Sequence, residues 1–167
     1  TYTQRGKIEA DSGTDNGDLS QYMTVVSTSS GTFTVTINPD GSSVDMTWLI
    51  MEISGRASSP YDTAATAQPA GTSNTASTGN ITPSEANCLL VAALSHTSTD
   101  TTLTETLSGC TLIDEVEGGS SYMPISVVVK LQTTATTEAA TWTIGAAVEW
   151  ICDVVSYKAA TSGGTTY

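Results

Sequence analysis

The chain has 167 residues, enough for one β-sandwich with its own core, so a single domain is the first expectation. Only 13% of the residues are charged, yet 17 are acidic against 5 basic, giving a net charge of -12. That balance argues against nucleic acid or an anionic membrane as partner, and no apolar run of about 18 residues offers a bilayer span.

Thr and Ser make up roughly a third of the chain, while Lys, Arg and Glu, the usual residues of an exposed helix, are scarce. Thr is stiff at χ1 and suits a pleated strand, so the composition predicts an all-β protein. The N-terminus, Thr1-Tyr2-Thr3-Gln4-Arg5, lacks an apolar signal core and does not begin with Met, which predicts a processed or partial chain. Next, Asp11-Ser12-Gly13-Thr14-Asp15-Asn16-Gly17-Asp18 concentrates oxygen ligands. Asp11, Asp15 and Asp18 are therefore weak calcium candidates. The spacing departs from the EF-hand, with Gly13 at its third position and no closing Glu, and a polar hairpin loop is the competing reading.

Strict alternation follows in Thr32–Ile37, with Phe33, Val35 and Ile37 on one face, and Asn38-Pro39-Asp40-Gly41 supplies turn chemistry. The return run Val44–Ile53 is apolar on both faces from Trp48 onward, which predicts a central strand covered on both sides. Residues 56–83, rich in Ala, Thr, Ser, Gly and Pro, read as a surface crossing with one polar strand near Ala76–Ile81. Asn80-Ile81-Thr82 in it is a glycosylation sequon, meaningful only in a eukaryotic host. Asn87–Leu94 is a near-continuous apolar strand. Leu103–Leu107, Leu112–Val116, Ile125–Leu131, Ala140–Ile144 and Val148–Tyr157 complete the strand set, and residues 159–167 form a flexible tail. One sandwich domain over 1–158 is predicted.

Its two halves, about 1–55 and 84–158, resemble each other. Thr32–Ile37 leading to Glu52-Ile53-Ser54-Gly55 parallels Ala140–Ile144 leading to Ser156-Tyr157-Lys158. Gln21–Val26 parallels Ile125–Leu131, and Thr1–Gln4 parallels Thr111–Asp114. The second half opens with the strands 87–94 and 103–107, for which the first half has no counterpart. Three explanations stand: a partial sequence, a strand donated by a neighbouring subunit, or a fold complete without it.

Chemistry-bearing residues are few. His96 is the sole histidine; no Gly-x-Ser-x-Gly elbow accompanies it, and an exposed loop position is expected. Asp114, Glu115 and Glu117 are the candidate carboxylate set, but adjacent strand residues point to opposite faces and Glu115 and Glu117 share the wet one. Glu52, in an apolar strand, is either buried or reaches solvent or Arg56. No catalytic residue is therefore assigned, and no cofactor. Cys88 and Cys152, both in predicted strands, are compatible with a disulfide; Cys110 makes the count odd, and buried free thiols are the other reading. Tyr22, Tyr61, Tyr122 and the three Trp suggest a sugar platform, although Trp48, Trp142 and Trp150 sit in apolar strands and are expected in the core.

The segments "TYTQRG", "GTFTVTINPDGSS", "IMEISGRASSPYD", "ITPSEANCLLVAALS" and "ATWTIGAAVEWICDVVSYKAA" together resemble a jelly-roll-like β-sandwich family of phage virion-surface and tail-associated proteins and secreted bacterial proteins. The resemblance spans nearly the whole chain, rests on packing motifs, and departs in lacking the N-terminal strand pair. It implies display, decoration or adhesion at a virion surface or outside the cell, and carries no catalytic residues over. The leading expectation is a structural virion-surface subunit, of the capsid decoration or fibre type, with itself or other surface proteins as partners. An adhesin that binds a glycan and a filament subunit joined by strand donation are the alternatives.

Overall fold

The computed structural model describes residues 3–10, 17–23, 34–37, 47–67, 69–97, 104–105, 107–116 and 124–160. Nine strands occupy them and no helix does: β1 (Thr3–Ala10), β2 (Gly17–Met23), β3 (Arg56–Ala67), β4 (Ala70–Ser77), β5 (Cys88–His96), β6 (Thr104–Glu105), β7 (Thr111–Val116), β8 (Ile125–Gln132) and β9 (Thr141–Ala159). The all-β expectation holds. β1 and β2 form an antiparallel hairpin running from Thr3↔Met23 to Ala10↔Gly17. The other seven strands form one antiparallel sheet in the order β3-β9-β5-β8-β7, with β4 and β6 also paired to β9.

The longest strand, β9, organises the sheet. Its C-terminal half lies between β5 and β3, with Val91 opposite Val155 and Tyr61 opposite Tyr157. Its N-terminal half pairs with β4 and β6. Between the halves, β4 advances from Ser73 to Thr75 while β9 advances from Thr143 to Val148. The surplus β9 residues, including exposed Gly145, Ala146 and Ala147, bend the strand. Near the start of β9, Trp142 reaches β8, where its Nε1 donates to Ser126 Oγ at 3.3 Å.

Both faces of the β5–β8–β9 centre are buried, which explains their near-continuous apolar character. On one face, Leu90, Ala92, Leu94, Val128, Cys152 and Val154 pack with Trp142, Ile144, Ala76 and Ile81. On the other, Val91, Ala93, Val127, Ile151, Val155 and Tyr157 pack beneath Leu49, Met51 and Ile53. Gly71 of β4 sits where a Cβ would lie 2.8 Å from Trp150 Cζ2, so the indole occupies the space a side chain would need.

Four expectations are corrected. Residues 56–83 are not a mere crossing: β3 and β4 fill most of them. These strands are poor in large apolar side chains because β9 supplies the hydrophobic partner surface, and β3 accommodates Pro60 within the register shift between Arg56 and Tyr61 that breaks its ladder. The run 44–53 is not a central strand in its described part. Residues 47–53 join no ladder among the described residues; they are extended, with Leu49, Met51 and Ile53 inward and Trp48 58% and Ile50 55% exposed. Ala140–Ile144 and Val148–Tyr157 are one bent strand rather than two. Of Leu103–Leu107, Thr104–Glu105 is strand and Leu107 is not, while Leu103 and Thr106 lie outside the described residues.

Candidate interaction surface at the sheet edge

β7 begins from a tight turn. Cys110 N–H donates to Leu107 O at 3.0 Å, and Gly109 takes a positive φ of 75°, the conformation required of the third residue of a type II turn. The turn delivers Thr111–Val116 alongside β8, with Thr111 opposite Val129 and Val116 opposite Ile125. Among the described residues β7 pairs with β8 alone and so forms an edge of the sheet. Every side chain of β7 is exposed or half-buried.

This edge is apolar where it is open. Leu112 is 45% and Ile113 42% exposed. An edge strand offers unpaired backbone donors and acceptors, and exposed apolar side chains reward a neighbour that binds them. Two features restrict which neighbour. The register slips between Leu112 and Asp114, a bulge that locally breaks regular pairing. Asp114 and Glu115 then place two carboxylates on successive residues, with Asp114 Oδ1 accepting the Glu115 N–H at 2.9 Å. They share sheet faces with Val127 and Ser126 respectively, opposite sides of the sheet, as the sequence reading expects. Glu117 lies outside the described residues.

The other chemistry-bearing residues lie elsewhere in the fold. His96 is fully buried at the end of β5 opposite Trp150, not exposed in a loop. The apolar run from Asn87 continues one pleat further than its composition suggests, carrying the imidazole inside. Asp153 is also fully buried, but shares its face with Ala93, the face opposite His96. The two side chains therefore leave opposite faces of the sheet. Asp62, buried in β3, accepts the Ser84 N–H at 2.7 Å. Neither buried Asp stands out in the sequence; the apolar neighbours of Asp153 were the available signal. Glu52 is exposed, the solvent-facing alternative of its two readings. Trp142 and Trp150 are core residues as expected, whereas Trp48 is not. Asn80 of the sequon is exposed.

Cys88 and Cys152 are free thiols. They sit on adjacent strands, but Cys88 is opposite Lys158 and Cys152 opposite Leu94. Six residues of offset separate them by about 20 Å at the rise of a β-strand. A disulfide needs Cα atoms within about 7 Å, so the candidate bridge is corrected to two buried thiols. Burial pushes the Cys152 thiol up to about 12, with the neighbouring Asp153 charge adding to it. Cys88 is also raised, chiefly by burial, with the Asp62 and Glu85 charges adding to it. Neither is poised as a nucleophile.

Of the calcium candidates, Asp11 and Asp15 lie outside the described residues, and Asp18 is placed only by its register opposite Glu9. The strands flanking 11–16 do pair as a hairpin. Among the described residues, no three His, Cys, Asp or Glu side chains converge as a metal site, and no helix is long and apolar enough to cross a membrane.

Fold and edge together define an all-β protein with an antiparallel sheet and one apolar, acidic edge strand. No family model, curated protein or solved structure matches the chain.

Proposed function

We propose that this chain is a structural, non-catalytic surface subunit that acts through subunit contacts along β7. Its setting is a virion surface, as a capsid decoration or fibre-type protein, or another extracellular assembly, the settings implied by the resemblance in its packing motifs. Its architecture is a jelly-roll-like, two-layered sandwich with an internal duplication. The packing of Leu49, Met51 and Ile53 over one sheet face, and of Trp142 and Ile144 over the other, supports layering. The observation that carries the functional reading is the edge itself: a strand paired on one side, with Leu112 and Ile113 open to solvent. Strand addition to such an edge gives affinity through main-chain hydrogen bonds and specificity through alternate side chains.

One observation favours a second reading, a glycan-binding adhesin. Trp48 presents 58% of its surface beside exposed Ile50, and an open indole is a surface on which a sugar ring can stack. Electron microscopy of the native particle separates the two. The subunit reading expects copies at symmetry-related positions with β7 against a neighbouring strand. Copies whose β7 faces solvent, together with glycan binding lost on Trp48→Ala, would replace it with the adhesin.

A further inference from the structure

A second open apolar surface lies far from β7, on the extended segment 47–53. Leu49, Met51 and Ile53 pack inward on the cluster of Val91 and Val155, while Trp48 and Ile50, 58% and 55% exposed, face outward. The segment joins no ladder among the described residues. Its C-terminal end is nevertheless held by the end of β9. Arg56 pairs with Ala159, and the Ala160 N–H donates to Gly55 O at 2.8 Å. We propose that residues 161–167, which lie outside the described residues, dock along 48–54 as an antiparallel strand that continues this register and sets Tyr167 beside Trp48.

The register fixes the contacts. Each step forward from Ala160 is matched by one step back from Gly55. On the inner face, Ser162 then falls opposite Ile53 and Gly164 opposite Met51, small groups that leave the inward packing of both undisturbed. On the outer face, Thr165 falls opposite Ile50 and Tyr167 opposite Trp48, β-branched and aromatic pairs of the kind that stabilise antiparallel strands. Because Ala160 bonds Gly55, the bonded positions that follow are Ser162 with Ile53, Gly164 with Met51 and Thr166 with Leu49. Gly55 turns a corner with a positive φ of 69°, and Gly163 and Gly164 let the second strand follow it. Charge and proximity favour this occupant over a second copy. Residues 161–167 contain no Asp, Glu, Lys or Arg and are already tethered at Ala160, whereas a second copy brings a net charge of -12.

The test uses the full chain and two variants, Tyr167→Ala and Gly164→Pro, the second lacking the N–H that bonds Met51. Trp142 and Trp150 are buried, so acrylamide quenching of tryptophan fluorescence reads Trp48. Quenching is expected to rise at least about twofold in both variants. The amides of Leu49, Met51 and Ile53 are expected to exchange at least about tenfold faster in Gly164→Pro than in the parent chain, while β5 and β8 stay protected as the check on folding. Equal quenching and equal exchange in all three proteins overturn the inference, and if cellohexaose then shields Trp48, the face belongs to a glycan. Protection of Leu49, Met51 and Ile53 that grows with protein concentration overturns it as well, since the docked strand then comes from a second copy. None of these outcomes bears on β7, whose reading stands or falls separately.

Discussion

Gly71 leaves room for the Trp150 indole only because it has no side chain. A methyl group at 71 would lie 2.8 Å from the indole, whose Nε1 is anchored to Ser73 Oγ at 2.9 Å, so the ring cannot swing away without losing that bond. Gly71→Ala is expected to lower unfolding free energy by about 1–3 kcal/mol, measured by urea denaturation. The thiols make a second prediction. A thiol ionises more readily in the unfolded chain than where burial has raised Cys152 to about 12 from 9.0, so the folded state binds more protons between those values. Stability is therefore full below pH 9 and declines as pH rises toward about 12, and Cys88 adds in the same sense. At neutral pH the half-buried Cys110 is expected to react with a thiol reagent well before the two buried cysteines, read by mass spectrometry. Single residues were the least legible scale in the sequence. His96 and Trp48 changed places, the polar one inside and the aromatic one outside, because burial depends on which strands close over a position. Asp153 is buried for the same reason.

Strands were legible where packing is two-sided. Asn87–Leu94, Ile125–Leu131 and Val148–Tyr157 each present apolar side chains to both faces, and they are the centre of the sheet. Legibility failed where a strand borrows its hydrophobic surface from a neighbour. β3 and β4 carry Ala, Thr, Ser and Gly and read as a crossing, yet both lie along β9. It failed too where Ala140–Ile144 and Val148–Tyr157 read as two strands, since one strand, Thr141–Ala159, runs on through Gly145. Trp142 ties the start of that strand to β8 through Ser126. Trp142→Ala is expected to cost about 3–5 kcal/mol of stability, the range for deleting a fully buried aromatic side chain. Leu131→Lys, at an exposed position of β8, is expected to change stability by no more than about 0.5 kcal/mol in the same denaturation experiment, since the side chain is already in water. If Leu131→Lys proves as damaging as a core substitution, that position is not the open surface described.

At the scale of the whole molecule, three properties converge on one strand. The sheet buries both faces at its centre, so contact with other molecules falls to its edges and outer loops. The net charge of -12 opposes contact between copies and favours basic partners. β7 combines an open ladder, apolar exposure and two carboxylates. The sequence already carried the charge and the existence of a strand at Leu112–Val116; that this strand is an edge could not be read from it, because strand order is set by long-range pairing and not by local pattern. The most direct test is amide hydrogen exchange on the isolated, dilute chain. Amides of β5, β8 and the C-terminal half of β9 should be the slowest, and the β7 amides directed away from β8 should exchange as fast as an exposed loop. Uniformly slow exchange along Thr111–Val116 in the lone chain would mean that the edge is already covered, and the account built on it would not stand.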